Sequence, residues 1–233
     1  MTATLHLLCA GAAQALVKAL QSRLLAEAGA EIAGRFGAVG AMKEALLAGE
    51  ACDVMVSTAK MIGELVESGA LRGEGRAPLG HVRTGIAVRR GQAHPDVSTA
   101  EALKAALLAA DAIYFPDAVR STAGIHFANV MRELGIHDEL QSRFRTFPNG
   151  ATAMRELAAS DAPRPIGCTQ VTEIKYTEGV ELVAPLPARF ELATGYTAAV
   201  GTRATEPALA AHFIAMLAGA DARALREAGG FED

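Results

Sequence analysis

Short runs of apolar and β-branched residues alternate with alanine- and leucine-rich runs of helical period along most of the chain. Residues 5–9 (L-H-L-L-C) predict a strand. Ala13, Leu16, Val17, Leu20 and Leu24 then recur at spacings of three and four, with Lys18 and Arg23 off that stripe, as one face of an amphipathic helix requires. Residues 32–36 and 53–57 predict further strands, 41–47 a helix ended by Gly49, and Thr58 leads into a helix with Ile62, Leu65 and Val66 inward. Residues 78–90 form a long extended segment. Ser98-Thr99-Ala100-Glu101 reads as a capping box, in which the Ser98 hydroxyl and the Glu101 carboxylate satisfy free amides at a helix start. Strands are predicted over 112–115, 144–147, 166–169 and 180–183, and helices over 122–134 and 151–157. Residues 195–201 are extended again, and helices over 207–217 and 221–227 close the chain. Such alternation is the signature of an α/β fold, with mostly parallel sheets and crossover helices. The two extended segments, near 80–90 and 188–200, predict crossings between lobes. They place lobe 1 at residues 1–82 plus 198–233 and lobe 2, continuous, at 83–197.

Composition narrows the function. With 51% hydrophobic and 21% charged residues over 233 positions, the chain is too apolar for disorder and long enough for a sizeable core. No apolar run reaches the roughly 18 residues of a membrane-spanning helix, so no membrane insertion is expected. A formal net charge of -4 gives no basic surface for nucleic acid. Cys9, Cys52 and Cys168 are an odd number at wide spacings, neither a disulfide framework nor a set of metal ligands. No phosphate loop, H-E-x-x-H or G-x-S-x-G sequence occurs, and no metal or cofactor is expected. Aromatic residues are 5% of the chain with no Trp, which argues against a sugar site built on ring stacking. Met1 and Thr2 lead almost directly into the first strand without a secretory signal. The chain is then cytoplasmic if Met1 is the native start, or periplasmic if a signal has been removed; unpaired cysteines favour the cytoplasm.

Several blocks carry a resemblance. The first strand with C-A-G-A-A-Q-A-L, then R-F-G-A-V-G-A-M-K-E-A-L-L-A-G-E-A-C-D-V-M-V-S-T, then Y-F-P-D-A-V-R-S-T-A-G-I-H-F, and the ending E-A-G-G-F occur in the order found in molybdate-type periplasmic binding proteins. The chain resembles these solute receptors of ABC importers over nearly its whole length. The resemblance implies a two-lobed type II binding-protein fold, each lobe a mostly parallel sheet flanked by helices, with the ligand cleft between the lobes and an ABC permease as partner if the protein is exported. It also implies where the family's oxyanion donors would fall, and there the chain departs from the pattern. The hydroxyl of the first strand–helix loop is replaced by Ala12, the serine of the second by Gly37-Ala38-Val39-Gly40, and the tyrosine of a late second-lobe loop corresponds to about Gln170. Each lost hydrogen bond to a dehydrated dianion costs about 1.5–3 kcal/mol, so molybdate specificity is not expected.

In such folds ligands lie beyond the carboxyl ends of strands, where helix-start amides and the helix dipole favour an anion. The candidate ligand residues are therefore Gly11 and Ala12, Ala38 and Val39, Ser57 and Thr58, Ser121 and Thr122, Asn149 and Gly150, and Gln170. Ser121 reads equally as an anion donor and as an ordinary helix cap, and Asp117 and Arg120 immediately precede it. Arg83 with Thr84, at the first crossing, could clamp a carboxylate bidentately or be a solvated surface charge. Cys9, at a strand end facing the expected cleft, and His126, one turn into its helix, are candidates to move a proton. Each also has a plain reading: a small core filler and a satisfied boundary histidine. Cys168 reads as core. Two functions follow: a binding module for a small anion, or an isomerase of a small unsaturated carboxylic acid, of the aconitate-isomerase kind, on the same scaffold.

Overall fold

The computed structural model describes residues 3–233, in which the chain divides into two units: one up to Val82 together with Thr194–Asp233, the other Arg83–Ala193. The first unit opens with β1 (Ala3–Ala10), α1 (Gln14–Ala28), β2 (Ala30–Gly37), α2 (Val39–Leu47), β3 (Val54–Thr58) and α3 (Ala59–Glu67). β1 runs parallel to β2 on one side and β3 on the other, with Leu7 level with Gly34 and Val54. Parallel neighbours need a crossover, which α1 and α2 supply. α1 buries Leu16, Val17, Leu20 and Leu24, the stripe that its spacing predicts. All of β3 is buried, so it reads as a continuous apolar run instead of an alternating one.

β4 (Ala77–Arg89) carries the chain into the second unit. There follow α4 (Ala100–Ala109), β5 (Ala112–Pro116), α5 (Thr122–Glu133), α6 (His137–Leu140), β6 (Phe144–Phe147), α7 (Gly150–Ala158), β7 (Pro165–Gln170), α8 (Val171–Tyr176) and β8 (Val180–Pro185). β5 pairs in parallel with β6 and β7, and β4 is antiparallel to β7 and β8. Phe115 is the centre of this unit's core, edge-on to Phe127 at 5.5 Å and to Phe144 at 5.2 Å between ring centroids. Such pairs add about 0.5–1.5 kcal/mol each beyond the area they bury.

Two local expectations shift. The cap of α4 is Thr99, whose hydroxyl accepts from the Ala102 amide at 3.1 Å, because the Ser98 hydroxyl donates to Asp96 at 2.7 Å instead. α8 follows β7 directly where no helix was predicted; six residues are too few to display a helical period.

The first unit resumes with β9 (Ala193–Val200), antiparallel to β3 with Thr58 level with Tyr196, then α9 (Pro207–Ala218) and α10 (Arg223–Gly229). The expected return at residue 198 falls midway along β9, whose pairing with β3 keeps it with this unit from Thr194. Asp53, just ahead of β3, ties the early and late segments together. Its buried carboxylate accepts from the His6 amide (2.8 Å), the Thr205 amide (2.7 Å) and hydroxyl (3.1 Å), and the Glu206 amide (3.2 Å), at the threshold of α9. Burial pushes its pKa up, but these donors outweigh it and hold the carboxyl below its ordinary value. The chain end is also tied down: His81 and Glu232 exchange backbone hydrogen bonds of 2.7 and 2.8 Å, and Phe231 is buried edge-on to Tyr196. Among the described residues no single helix is long and apolar enough to cross a membrane.

Candidate functional site

The expected site residues fall at the carboxyl ends of the strands in each unit. In the first unit, β1 ends in a turn at Gly11–Ala13, where Ala12 is buried and Gly11 half-buried, and no side chain caps the start of α1. Ala38 occupies the cap position of α2, again without a side-chain bond, and Val39 behind it is buried. The start of α2 therefore keeps main-chain amides that no side chain has taken, whereas at the start of α1 the Gln14 amide already donates to the Gly11 carbonyl of the preceding turn. β3 ends differently. The Thr58 hydroxyl caps α3, accepting from the Met61 amide at 3.2 Å, whereas the fully buried Ser57 hydroxyl has no hydrogen-bond partner among the described residues. Thr194, on β9 just beyond the level of Thr58, carries a second hydroxyl of this kind.

Cys9 requires a correction. Its side chain is wholly inside the first unit, with the thiol donating to the Ala10 carbonyl at 3.3 Å, and burial pushes its pKa far up. A thiol so placed stays protonated and does not face solvent. Burial likewise pushes Cys52 up to about 12 and Cys168 well above the ordinary thiol value.

In the second unit, the loop after β5 folds back on itself. Asp117 accepts from the Val119 and Arg120 amides at 2.7 and 3.0 Å, and the Ser121 hydroxyl caps α5 through a long bond of 3.5 Å from the Gly124 amide. Thr122, the first residue of α5, is half-buried. A Cβ on Gly124 would lie 2.3 Å from the carbonyl oxygens of Pro116 and Asp117, so only glycine lets α5 press against the end of β5. His126 donates from Nε2 to the Phe190 carbonyl at 2.8 Å, which leaves Nδ1 as the nitrogen able to accept a proton.

The start of α7 also departs from expectation. The Asn149 side chain caps the Thr152 amide at 2.8 Å, and the Gly150 and Ala151 amides donate to the carboxylate of Glu173. Glu173 also accepts from the Thr169 hydroxyl at 2.5 Å and from the Gln170 amide. The protein's own carboxyl group thus fills the place expected to hold a ligand anion. A Cβ on Gly150 would lie 2.0 Å from Glu173 Oε2 and from Thr169 Oγ1, so the glycine admits that carboxylate. Burial raises the pKa of Glu173 more than its donors lower it.

Gln170 is buried at the end of β7, level with Thr84 on β4. The main-chain groups of Thr84 bond to Leu192 and Leu186, but its buried hydroxyl has no partner among the described residues, and neither does that of Thr172. Arg83 is half-buried, 3.8 Å from Glu191.

Each unit thus holds two buried hydroxyls without a partner among the described residues: Ser57 near the end of β3 and Thr194 near the start of β9 in the first, Thr84 on β4 and Thr172 in α8 in the second. A buried polar group left without a partner costs about 1–3 kcal/mol, so within each unit these hydroxyls are groups that a ligand accepting hydrogen bonds would satisfy. Thr172, Thr194 and Glu173 went unnoticed in the sequence; the one available signal was that Thr172 lies three residues past a predicted strand end. Among the described residues, no three His, Cys, Asp or Glu side chains gather as a metal site.

Comparison with known proteins extends the picture. The sequence model of a family described as bacterial extracellular solute-binding protein matches residues 5–232. An aconitate isomerase from Pseudomonas sp. is 26% identical over 194 residues, which are 81% of this chain and 71% of that protein. Among solved structures, the periplasmic molybdate-binding protein of Azotobacter vinelandii superposes with a TM-score of 0.80 at 18% identity, covering 98% of this chain and 99% of its own. The sulfate-binding protein SubI from Mycobacterium tuberculosis gives 0.75 at 15% identity, covering 98% and 86%. At such identities these likenesses establish the fold, which is that of two-lobed type II periplasmic binding proteins.

Proposed function

Since this chain belongs to the bacterial extracellular solute-binding protein family, we propose that it binds a small anion, an organic carboxylate in preference to molybdate, and delivers it outside the cytoplasm to an ABC permease. One observation carries this reading: each unit buries hydroxyls that have no partner among the described residues, Ser57 and Thr194 in the first and Thr84 and Thr172 in the second. The uncapped start of α2 adds main-chain amides, and Arg83 offers a guanidinium to a carboxylate. The side chains at Ala12 and Ala38 have no hydroxyl to give a tetrahedral oxyanion. We extend the ligand set to Gly11, Val39, Thr58, Ser121, Thr122 and Gln170 as lining; Asn149 and Gly150 serve Glu173 and α7 instead.

Thermal unfolding in the presence of molybdate, sulfate, and di- and tricarboxylates tests this. A ligand at a hundred times its Kd stabilises by about 2.7 kcal/mol, a rise of several degrees at this chain length. A rise with carboxylates supports the proposal, a rise with molybdate alone removes the organic acid, and no rise with any anion removes the function.

A second reading, isomerisation of a small unsaturated carboxylic acid, is favoured by the similarity to aconitate isomerase. The proton would move at His126 Nδ1, since the Cys9 thiol is locked in the core. Incubation with cis-aconitate in heavy water, followed by proton NMR, decides it. Binding without exchange or a new isomer leaves a receptor and no enzyme.

A further inference from the structure

We propose that the second unit carries a further binding site, away from the carboxyl ends of its strands, for a small uncharged aromatic molecule of one or two rings. The site is a cavity of about 360 Å³ between the turn after β4, the end of α4 and the start of β7. Its floor is made by the buried residues Val88, Ala110 and Ile166. Ala106 and Ala109, neighbours on one face of α4, form a wall whose short side chains leave the space open. Pro95, Pro163 and Pro165 stiffen the rest of the wall, so binding requires little ordering of the chain. Ile166 stands four residues, about 13 Å of strand, from Gln170 at the other end of β7. The cavity is thus separate from the residues of the anion-binding reading and does not depend on them.

The polar groups at its edge are already matched. Gln92 Nε2 donates to the Pro163 carbonyl at 2.8 Å, and His94 Nε2 lies 3.3 Å from Glu181. The Arg164 guanidinium pairs with Asp111 at 3.1 and 3.2 Å, and the Arg164 amide and carbonyl bond to the same residue. An ion entering the cavity would therefore shed water without meeting an uncompensated opposite charge, whereas an uncharged ring gains by leaving water. Size agrees: an apolar cavity of about 150 Å³ already takes benzene, and this one has room for a fused pair of rings. The large apolar side chains that reach the surface, Leu25, Leu47, Val119, Ile125, Tyr176 and Leu225, are not among those lining it. Apolar surface is thus confined to the hollow, which suits an enclosed small molecule better than the broad face of a partner protein.

Indole is the probe. The chain has no Trp, so indole emission, excited beyond the tyrosine band, can be followed as the whole protein is titrated into it. A saturable blue shift is expected. Ala109→Leu, which fills the cavity from an exposed helix position, should weaken binding at least about tenfold. In carbon-resolved NMR spectra, indole should move the methyl signals of Val88, Ile166 and Ala106. No saturable shift, a titration unchanged in Ala109→Leu, or methyl changes confined to other residues each overturns the site. Displacement of indole by cis-aconitate would place it at the anion site and overturn the proposal; an unchanged titration supports it. A dimer in sedimentation that Ala109→Leu turns into monomer would give the cavity to a second copy of the chain, and this too overturns the proposal. The anion-binding reading stands or falls separately, on its own titrations.

Discussion

Both units bury a carboxylate against the start of a helix, and the two respond in opposite ways. Asp53 meets α9 through the Thr205 and Glu206 amides and also holds the His6 amide, and its donors outweigh burial, so its pKa falls. Glu173 meets α7 through Gly150 and Ala151, but burial outweighs its donors and its pKa rises. A helix start thus does not by itself fix the sign of a shift; the balance of desolvation against donors does. The contrast also separates roles. Asp53 joins segments about 150 residues apart in sequence, whereas Glu173 occupies a position that a ligand could otherwise claim.

The largest effect is expected at Asp53. Asp53→Ala leaves several buried donors unmatched and should destabilise the protein by about 3–5 kcal/mol in urea unfolding. Asp53→Asn, which keeps one acceptor oxygen, should cost clearly less. Gly150→Ala forces a methyl group onto Glu173 and Thr169 and should cost about 2–4 kcal/mol. In Gly150→Ala/Glu173→Ala/Thr169→Ala that cost should be strongly non-additive, because the other two changes remove both groups the methyl meets; additivity would mean that the methyl collides elsewhere.

The opposite pKa shifts predict opposite pH dependence. The folded-state pKa of Glu173 is raised, so its contribution is fully present below the unfolded pKa and is lost as pH rises through the folded value. The folded-state pKa of Asp53 is lowered, so its contribution is present above the unfolded pKa and is lost as pH falls through the folded value. Urea midpoints measured across the acid range should lose the first trend in Glu173→Gln and the second in Asp53→Asn. The smallest stability effects belong to Ser57→Ala and Thr84→Val, which remove hydroxyls that bond to nothing in the described residues and should change stability by less than about 1 kcal/mol. Each should nevertheless weaken anion binding by about three- to tenfold in titration. A large loss of stability with unchanged affinity would mean that these hydroxyls support the core.

Much of the architecture was legible because it is local. The stripe at Leu16, Val17, Leu20 and Leu24 is a helical period within ten residues, and the V-M-V-S run carries the apolar continuity of a buried strand. Caps were legible to within one residue, as Thr99 and Ser98 show. The carboxylate clusters were not. Glu173 lies in T-E-I-K-Y, a run too short to show a helical period, and the amides that hold it come partly from residues 150 and 151. Nothing in G-E-A-C-D-V names Thr205 as a partner for Asp53. Likewise, Cys9 looks available at a strand end until the surrounding packing is known.

The pairing of Asp53 with Thr205 and Glu206 sets an order on synthesis. As the nascent chain leaves the ribosome at about 5–20 residues per second, the acceptor emerges on the order of ten seconds before its donors. The continuous Arg83–Ala193 segment emerges whole in that interval and can fold ahead of the half that began first. Until residues 205 and 206 arrive, the Asp53 carboxylate just ahead of β3 lacks most of its donors, so the earliest strands translated are among the last to be sealed.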